Sequence, residues 1–342
     1  MPTGTPASPV TVYTVAKHAG VSIATVSRVL QGTVPVTPDT RRKVLEAVTE
    51  LGYVNLRTGR AVGLKLETHA LVVPSLAGTY FSDLAIGFES TGGEFGQSVT
   101  VLSTDAVEDP STRVLDLATK VDGMVITTAT VPDDVVLQVA DKVPVVLVAR
   151  GQLEGCDAFT TENMEPMVDL VRHVIGHGRT KLRFVGDHTG SRDISRRYAG
   201  YLQAISEAGM QDVHGPFAVW LDEEAGRSVA LDILEQLDDI DALICANDEL
   251  ALALMTSLRQ HGVSCPDDVV VTGWDDTMAS RYIVPGLTTV AQPVVELGRA
   301  VSVRLHERIT RRTSPQPRVR LPSTLRIRSS CGCPRAAPQL SS

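Results

Sequence analysis

Apolar positions over residues 11–52 recur at intervals of three and four, in three short runs punctuated by glycine, serine and threonine. The first run, "YTVAKHA", follows Thr11 as an N-cap and stops at Gly20. The second extends from Ile23 to Leu30 behind Ser22, with Gly32 beyond its end. The third opens on "TPDT": Thr37 caps, Pro38 fits the first turn and Asp39 suits the positive end of the helix dipole, before Gly52 closes the run. These patterns predict three helices sharing a small core of Val15, Ala16, Val21, Val26, Val29, Leu30, Val44, Leu45, Val48 and Leu51. From Ala70 the pattern changes. Strand-like runs ("ALVVP", "SVTVLS", "GMVITT", "VPVVLVA", "LRFVG", "ALICA", "VVVTG") alternate with amphipathic stretches at Phe81–Phe95, Asn163–Ile175, Arg192–Ala208, Glu223–Leu237 and Glu249–His261. Such alternation predicts parallel sheets flanked by helices, and two sets of strands fit two subdomains better than one large sheet.

Only Gly20, Val21 and Ser22 separate the first two predicted helices. A three-residue turn containing glycine is the connection of a helix-turn-helix, which presents its second helix to the DNA major groove. With Val26, Val29 and Leu30 facing the core, Ile23, Ala24, Ser27 and Arg28 fall on the outer face. Small side chains let that face approach base edges, and Arg28 supplies a fork suited to guanine O6 and N7. Ser22 and Thr25 can meet phosphates through hydroxyls or the N–H groups of the helix start. A helical mini-bundle with a solvated arginine is the plainer alternative.

Charge is uneven in the direction DNA binding requires, with ordinary fluctuation over some sixty residues as the plainer alternative. Residues 1–63 hold seven basic against three acidic side chains, a balance of +4, while the whole chain carries −8, leaving −12 for the rest. A basic head on an acidic body points to an anionic partner for the head alone. No apolar run approaches the ~18 residues of a membrane span, and the start "MPTGTPASPV" has no secretory pattern. Residues 1–10 are expected to be a disordered arm. Five scattered cysteines argue for reduced thiols in a cytosol. Cys331–Gly332–Cys333 lacks further ligands beside it, and "HVIGHG" (His173, His177) lacks the glutamate of a zinc protease, so no metal and no cofactor are expected. There is no G-x-G-x-x-G after a strand, no Walker loop and no nucleophile elbow, so the chain is expected not to be an enzyme.

"TVYTVAKHAGVSIATVSRVLQG", then "VTPDTRRKVLEAVTELGY", resembles the headpiece of the LacI/GalR family of bacterial transcriptional regulators, in the order A-x-x-A-G-V-S-x-x-T-V-S-R-V-L and the G-Y downstream. The resemblance implies that Ile23, Ala24, Ser27 and Arg28 read bases, and that Thr11, Ser22, Thr25, Thr37 and Thr40 contact backbone phosphates. Gln31, in place of the more usual asparagine, and Tyr53 join the backbone set. After Tyr53 the family continues with a proline and a short A-R-x-L hinge helix whose leucine enters the minor groove. Here "VNLRTGRAVGLKLETHALVVP" lacks the proline, places Gly59 at the alanine, matches Arg60 and puts Val62 at the wedge. Gly59 costs a helix about 1 kcal/mol relative to alanine, and valine reaches less far than leucine. Insertion of Val62 is the expectation, with a flexible linker as the alternative.

Further strings, including "AGTYFSDLAIGFES", "VDGMVI", "PVVLVAR", "SRRYAGYLQAISEAG", "ICANDELALALMTSLRQHGV" and "PGLTTVAQPVVELGRAV", are similar to LacI-type effector domains, themselves similar to periplasmic sugar-binding proteins. The implied fold is a small all-α headpiece (11–54), a hinge (55–69) and a two-lobed α/β effector domain (70–330). Lobe one would take 70–161 and 290–321, lobe two 162–289 and 322–330, with a disordered tail at 331–342. Carried over residue by residue, Arg197, Asn247 and Asp275 hydrogen-bond the effector, Tyr80 and Phe81 form an aromatic pair, and Trp274 stacks on a pyranose face. Leu221 stands where an aromatic ring often covers the ligand, and Ala149 where some sugar-responsive members have aspartate. Plainer roles exist for each: a solvated helix face for Arg197, capping for Asn247 and Asp248, core packing for Tyr80, Phe81 and Trp274. Asp275, directly after the strand "VVVTGW", is the strongest candidate.

The tail from Arg304 has nine arginines and one glutamate, and "RVRLPSTLRIR" reads as an exposed edge strand. No leucine heptad follows. The expected protein is a cytoplasmic, nucleoid-associated homodimeric repressor, binding a pseudo-palindromic DNA operator under control of a small carbohydrate or related effector. The rival is a cytosolic solute-binding protein with no DNA role.

Overall fold

The computed structural model describes residues 10–31, 36–51, 53–55, 60–61, 68–128, 130–212, 214–311 and 313–334. Three helices open the chain: α1 (Val12–Ala19), α2 (Ile23–Gln31) and α3 (Pro38–Leu51). Each starts on a Ser/Thr pair three residues apart. The hydroxyls of Thr11, Ser22 and Thr37 accept from the N–H groups of Thr14, Thr25 and Thr40 at 3.4, 3.1 and 3.4 Å. α1 ends on Gly20 at φ 65°, a left-handed position that costs glycine nothing and turns the chain into α2. Val15, Ala16, Val26, Val29, Val44, Ala47 and Val48 close a core between the helices, joined by Tyr53. Tyr53, placed in the DNA-backbone set by the sequence, has its ring buried in that core, because an aromatic surface is worth more against valines than in water.

The described part of the hinge differs from the expected helix. β1 (Val54–Asn55) pairs antiparallel with β2 (Arg60–Ala61), an extended arrangement compatible with the weak helix propensity next to glycine. Gly59 and Val62 lie outside the described residues.

Among the described residues the body has two parallel sheets and one two-stranded antiparallel sheet. The first takes β3 (Thr68–Val73), β4 (Ser98–Ser103), β5 (Gly123–Thr127), β6 (Val145–Val148), β7 (Asp157–Thr161) and β12 (Val319–Leu321) in the order β12-β7-β6-β5-β3-β4. Every neighbouring pair in it is parallel. Helices α4 (Thr79–Glu94), α5 (Pro110–Leu117), α6 (Asp133–Ala140) and α12 (Val294–Arg311) flank it. α4 and α12 press together at glycines: a Cβ on Gly87 would stand 2.0 Å from the Val295 carbonyl, and one on Gly298 2.4 Å from that of Leu84. The second sheet is β10-β9-β8, from β8 (Leu182–Val185), β9 (Ala242–Cys245) and β10 (Val270–Thr272), also parallel. It is covered by α7 (Glu165–Gly176), α8 (Arg192–Glu207), α9 (Glu223–Leu234), α10 (Asp248–Gln260) and α11 (Met278–Tyr282). The chain crosses between the sheets three times: β7 into α7, β11 (Thr289–Ala291) into α12, and β12 into β13 (Thr324–Arg326), which pairs antiparallel with β11.

The single edge strand expected over "RVRLPSTLRIR" is therefore two strands on different partners. The break falls at Leu321–Pro322, where proline cannot donate to a ladder. Two tail arginines turn inward: Arg304 Nε donates to Asp157 Oδ1 at 2.8 Å, and Arg308 pairs with the other carboxylate oxygen. Asp157 and Arg304 are both buried, so these side chains hold β7 to α12. No helix among the described residues is long and apolar enough to cross a membrane. A further correction concerns Cys331 and Cys333. Far from isolated, their sulfurs lie beside the rings of His173 and His177, which the fold delivers from the end of α7.

Candidate functional site: a DNA-reading face and an interlobe cleft

On α2 the outward residues are those the helical period predicts. Ile23 (42% exposed), Ala24 and Arg28 face solvent, with Ser27 partly covered. Arg28 has no acidic partner within 4 Å among the described residues. Nearby Arg42 is held by Asp39 and Glu46, Lys43 by Asp39, and His18 by Glu50. Lys17 and Arg41 likewise make no ion pair among the described residues, but Arg28 alone of the three stands on the outer face of α2, where its guanidinium is available to an external acceptor. Ser22, Thr25, Thr37 and Thr40 engage one another in caps; Ser22 Oγ lies 2.8 Å from Thr25 Oγ1, and Thr37 Oγ1 2.8 Å from Thr40 Oγ1. Their hydroxyls and helix-start N–H groups lie at positive dipole ends, where phosphate oxygens bind. Thr14, the partner of Thr11, belongs to the same pattern and is missed when caps are sought singly.

Between the sheets, polar side chains gather at strand C-termini, the crevice where open α/β folds place ligands. Arg197, on α8 and 4% exposed, donates from Nε to Asn163 Oδ1 at 2.8 Å and from Nη1 to the Ala246 carbonyl at 2.6 Å. Its guanidinium lies 4.5 Å above the ring centre of Trp274, a cation–π contact. Trp274 is fully buried, so the face expected to stack on a sugar is the floor beneath Arg197. Asp275 sits at φ 120°, a strained position for any residue but glycine, held by donation from its N–H to the Val290 carbonyl at 2.8 Å. Its carboxylate accepts from Gln292 Nε2 at 2.5 Å. Burial pushes this carboxyl up to about 8 against the opposing pull of Arg197, so at neutral pH it can donate as well as accept a hydrogen bond. Burial raises Asp193 likewise, opposed by Arg197 and by the Thr160 hydroxyl donating at 2.9 Å.

Asn247 is committed to structure: its Oδ1 accepts from Leu250 N–H at 3.1 Å, capping α10, and its Nδ2 donates to the Leu221 carbonyl at 2.8 Å. Asp248 does not cap. It accepts from Thr277 N–H and the Thr289 hydroxyl, tying α10 to the second crossover, and burial lifts it to about 6. Leu221 is half-buried between the two apolar clusters of lobe two. From lobe one, Tyr80 and Phe81 pack edge-to-face with ring centres 5.1 Å apart. The Tyr80 phenol, raised by burial and then by Asp193, feels Arg197 and Asp275 as well, which places it against the lobe-two network. Asn163, Asp193 and Gln292 complete that network without having been singled out from the sequence. Asp193 had a signal, since four residues before Arg197 is one turn along the same helix face. A direct latch joins the lobes: Thr79 N–H donates to Glu249 Oε1 at 3.1 Å, setting a carboxylate on the N-terminus of α4.

Comparison with known proteins bears on both halves. Residues 11–55 match the family described as bacterial regulatory proteins, lacI family, and residues 171–331 match the periplasmic binding protein-like domain. The HTH-type transcriptional regulator CelR of Thermobifida fusca is 31% identical over 343 residues, spanning 94% of this chain and 98% of its own. Catabolite control protein A of Priestia megaterium is 28% identical over 330 residues, 94% of this chain and 99% of that one. Among solved structures, a CelR–cellobiose complex superposes at TM-score 0.72 with 28% identity, covering 94% and 99% of the two chains. The lac repressor dimer bound to operator and the anti-inducer ONPF does so at 0.69 with 25% identity, covering 95% and 99%. A helix-turn-helix with a free arginine, a two-lobed body crossed three times and near full-length likeness to such regulators lead to one conclusion: the chain belongs to the LacI family of bacterial regulatory proteins.

Proposed function

We propose that the protein is a cytoplasmic, nucleoid-associated repressor that binds a pseudo-palindromic operator as a homodimer and is switched by a small polyhydroxylated effector held between its lobes. The observation that carries the DNA half is Arg28, exposed and without an acidic partner on the second helix of the turn motif. The effector half rests on Arg197, reaching from α8 to the Ala246 carbonyl beyond β9, and on Asp275 after β10, with Tyr80 opposite. A hydroxyl-rich ligand, cellobiose, is named with the similar CelR complex. Effector binding alters the angle between lobes and thereby the pairing of the two first lobes; a coupling of ~1–3 kcal/mol suffices to switch occupancy. Selection from random double-stranded DNA followed by mobility shift tests the reading. A two-fold-symmetric consensus is expected, with affinity falling ~10³-fold or more between 50 and 200 mM salt. No sequence preference in any salt would favour the solute-binding alternative.

Exposed apolar side chains support the dimer. Tyr282 is 78% exposed at the end of α11, with Met278 and Val284 exposed beside it. Three such residues in one short segment exceed the scattered apolar exposure of an ordinary surface. Tyr282→Asp should weaken self-association by about 2 kcal/mol or more, as loss of an aromatic anchor does. Sedimentation velocity reads this directly, and an unchanged dimer would place the interface elsewhere.

A further inference from the structure

We propose that His173, His177, Cys331 and Cys333 form a zinc site that staples the end of the chain to α7. The sequence holds two half-sites 154 residues apart between His177 and Cys331, and each alone lacks the ligands for a metal. The fold unites them. His173 lies in the last turn of α7 and His177 caps it, so the four-residue spacing sets both rings on one face. The 3₁₀ turn Ser329–Cys331 and Gly332, at φ 95°, reverse the chain so that both sulfurs meet that face.

All four potential ligand atoms fall within 4.8 Å of one another. His173 Nε2 is 3.3 Å from Cys331 Sγ and 3.6 Å from Cys333 Sγ, and His177 Nε2 is 3.2 Å from Cys333 Sγ. A tetrahedral zinc with ordinary Zn–N and Zn–S bonds separates nitrogen from sulfur by about 3.5 Å, the spacing seen here. Two imidazoles and two thiols are a donor set that suits zinc above harder divalent ions. The negative end of the α7 dipole adds a favourable field for a cation. The Cys331 thiol also donates toward the Arg328 carbonyl at 3.2 Å, and zinc binding sends its proton, with that of Cys333, to solvent. Placement suggests the purpose. α7 directly follows the first crossover and Cys331 follows the third, so the ion would tie two of the connections between the lobes to one helix.

The test uses the full chain, freed of any affinity tag and kept reduced. Elemental analysis should find one zinc per chain, and cobalt substitution should give thiolate-to-metal charge transfer with tetrahedral d–d bands. Cys333→Ser and His177→Gln alter ligands at the solvent-facing side, so their folding can be checked by circular dichroism before metal is added. Each should weaken zinc binding by roughly 100-fold or more, since even outer partners of metal ligands are worth roughly 10–100-fold. Each should also remove the rise in Tm that stoichiometric zinc gives the parent protein. The assignment is overturned if the parent binds zinc no better than the two variants. A native Cys331–Cys333 disulfide in protein purified anaerobically would equally overturn it.

Discussion

Arg28→Ala is expected to abolish operator discrimination while leaving non-specific DNA binding nearly intact. A bidentate arginine–guanine contact is worth about 1–3 kcal/mol against the wrong base. A dimer makes it twice, so specific affinity should fall by about 2–6 kcal/mol, roughly 30- to 25,000-fold. Phosphate contacts from the capped helix starts and the remaining cations are untouched, so the affinity for scrambled duplex and its salt slope should change little. Arg28 is exposed and makes no ion pair with the described residues, so the headpiece core should melt as before. Arg28→Lys separates charge from shape: it keeps the phosphate attraction but loses the planar fork. Competition mobility shifts with consensus and scrambled DNA read both effects. If Arg28→Ala still prefers the consensus, another side chain of α2 reads the operator.

The headpiece was legible because its signals are local. Caps, a glycine turn and a three-to-four period all act within a few residues, and six of the ten predicted core residues are buried; Val21, Leu30, Leu45 and Leu51 pack at its margin, and Ala47 and Tyr53 join it. The alternation of the body was legible for its apolar strands. β7 was not, since "DAFTT" has no apolar run. It is fully buried because Arg304 and Arg308 neutralise Asp157 and the threonines find acceptors, partners more than a hundred residues away for the arginines. The same limit explains the cleft. Asn247 was visible as either cap or ligand contact, and only the fold shows both its amide atoms engaged. Trp274 looked like an open platform because a sequence does not show that Arg197 lies across its face. His173 and His177 looked inert because their two sulfur neighbours stand at the far end of the chain. What escaped is the set of features made by charge or donor pairing across crossovers.

Arg197→Met should be the most damaging change in the effector domain. The substitution keeps an unbranched apolar stem over Trp274 but removes every donor. The Asn163 amide oxygen and the Ala246 carbonyl lose partners at 2.8 and 2.6 Å, and Asp193 and Asp275 lose the cation that favours their ionised forms. Removing one member of such a buried charged network costs about 3–5 kcal/mol. The pH dependence identifies the cause. A carboxyl whose folded pKa is raised gives stability that is full below its unfolded value near 3.8 and is lost as pH rises through the folded value, about 8 for Asp275. Without Arg197 that folded value climbs further, so the deficit of the variant should widen as pH passes about 8, by at most ~1.4 kcal/mol per unit from this group. Chemical denaturation of both proteins between pH 6 and 9 measures it. A deficit independent of pH would reduce Arg197 to a packing residue. Function should fail alongside: thermal shifts given to the parent by any of a panel of mono- and disaccharides should vanish in the variant, whereas operator binding without sugar should persist. Loss of the DNA response together with the sugar response would mean that Arg197 holds the dimer-competent body together rather than the effector.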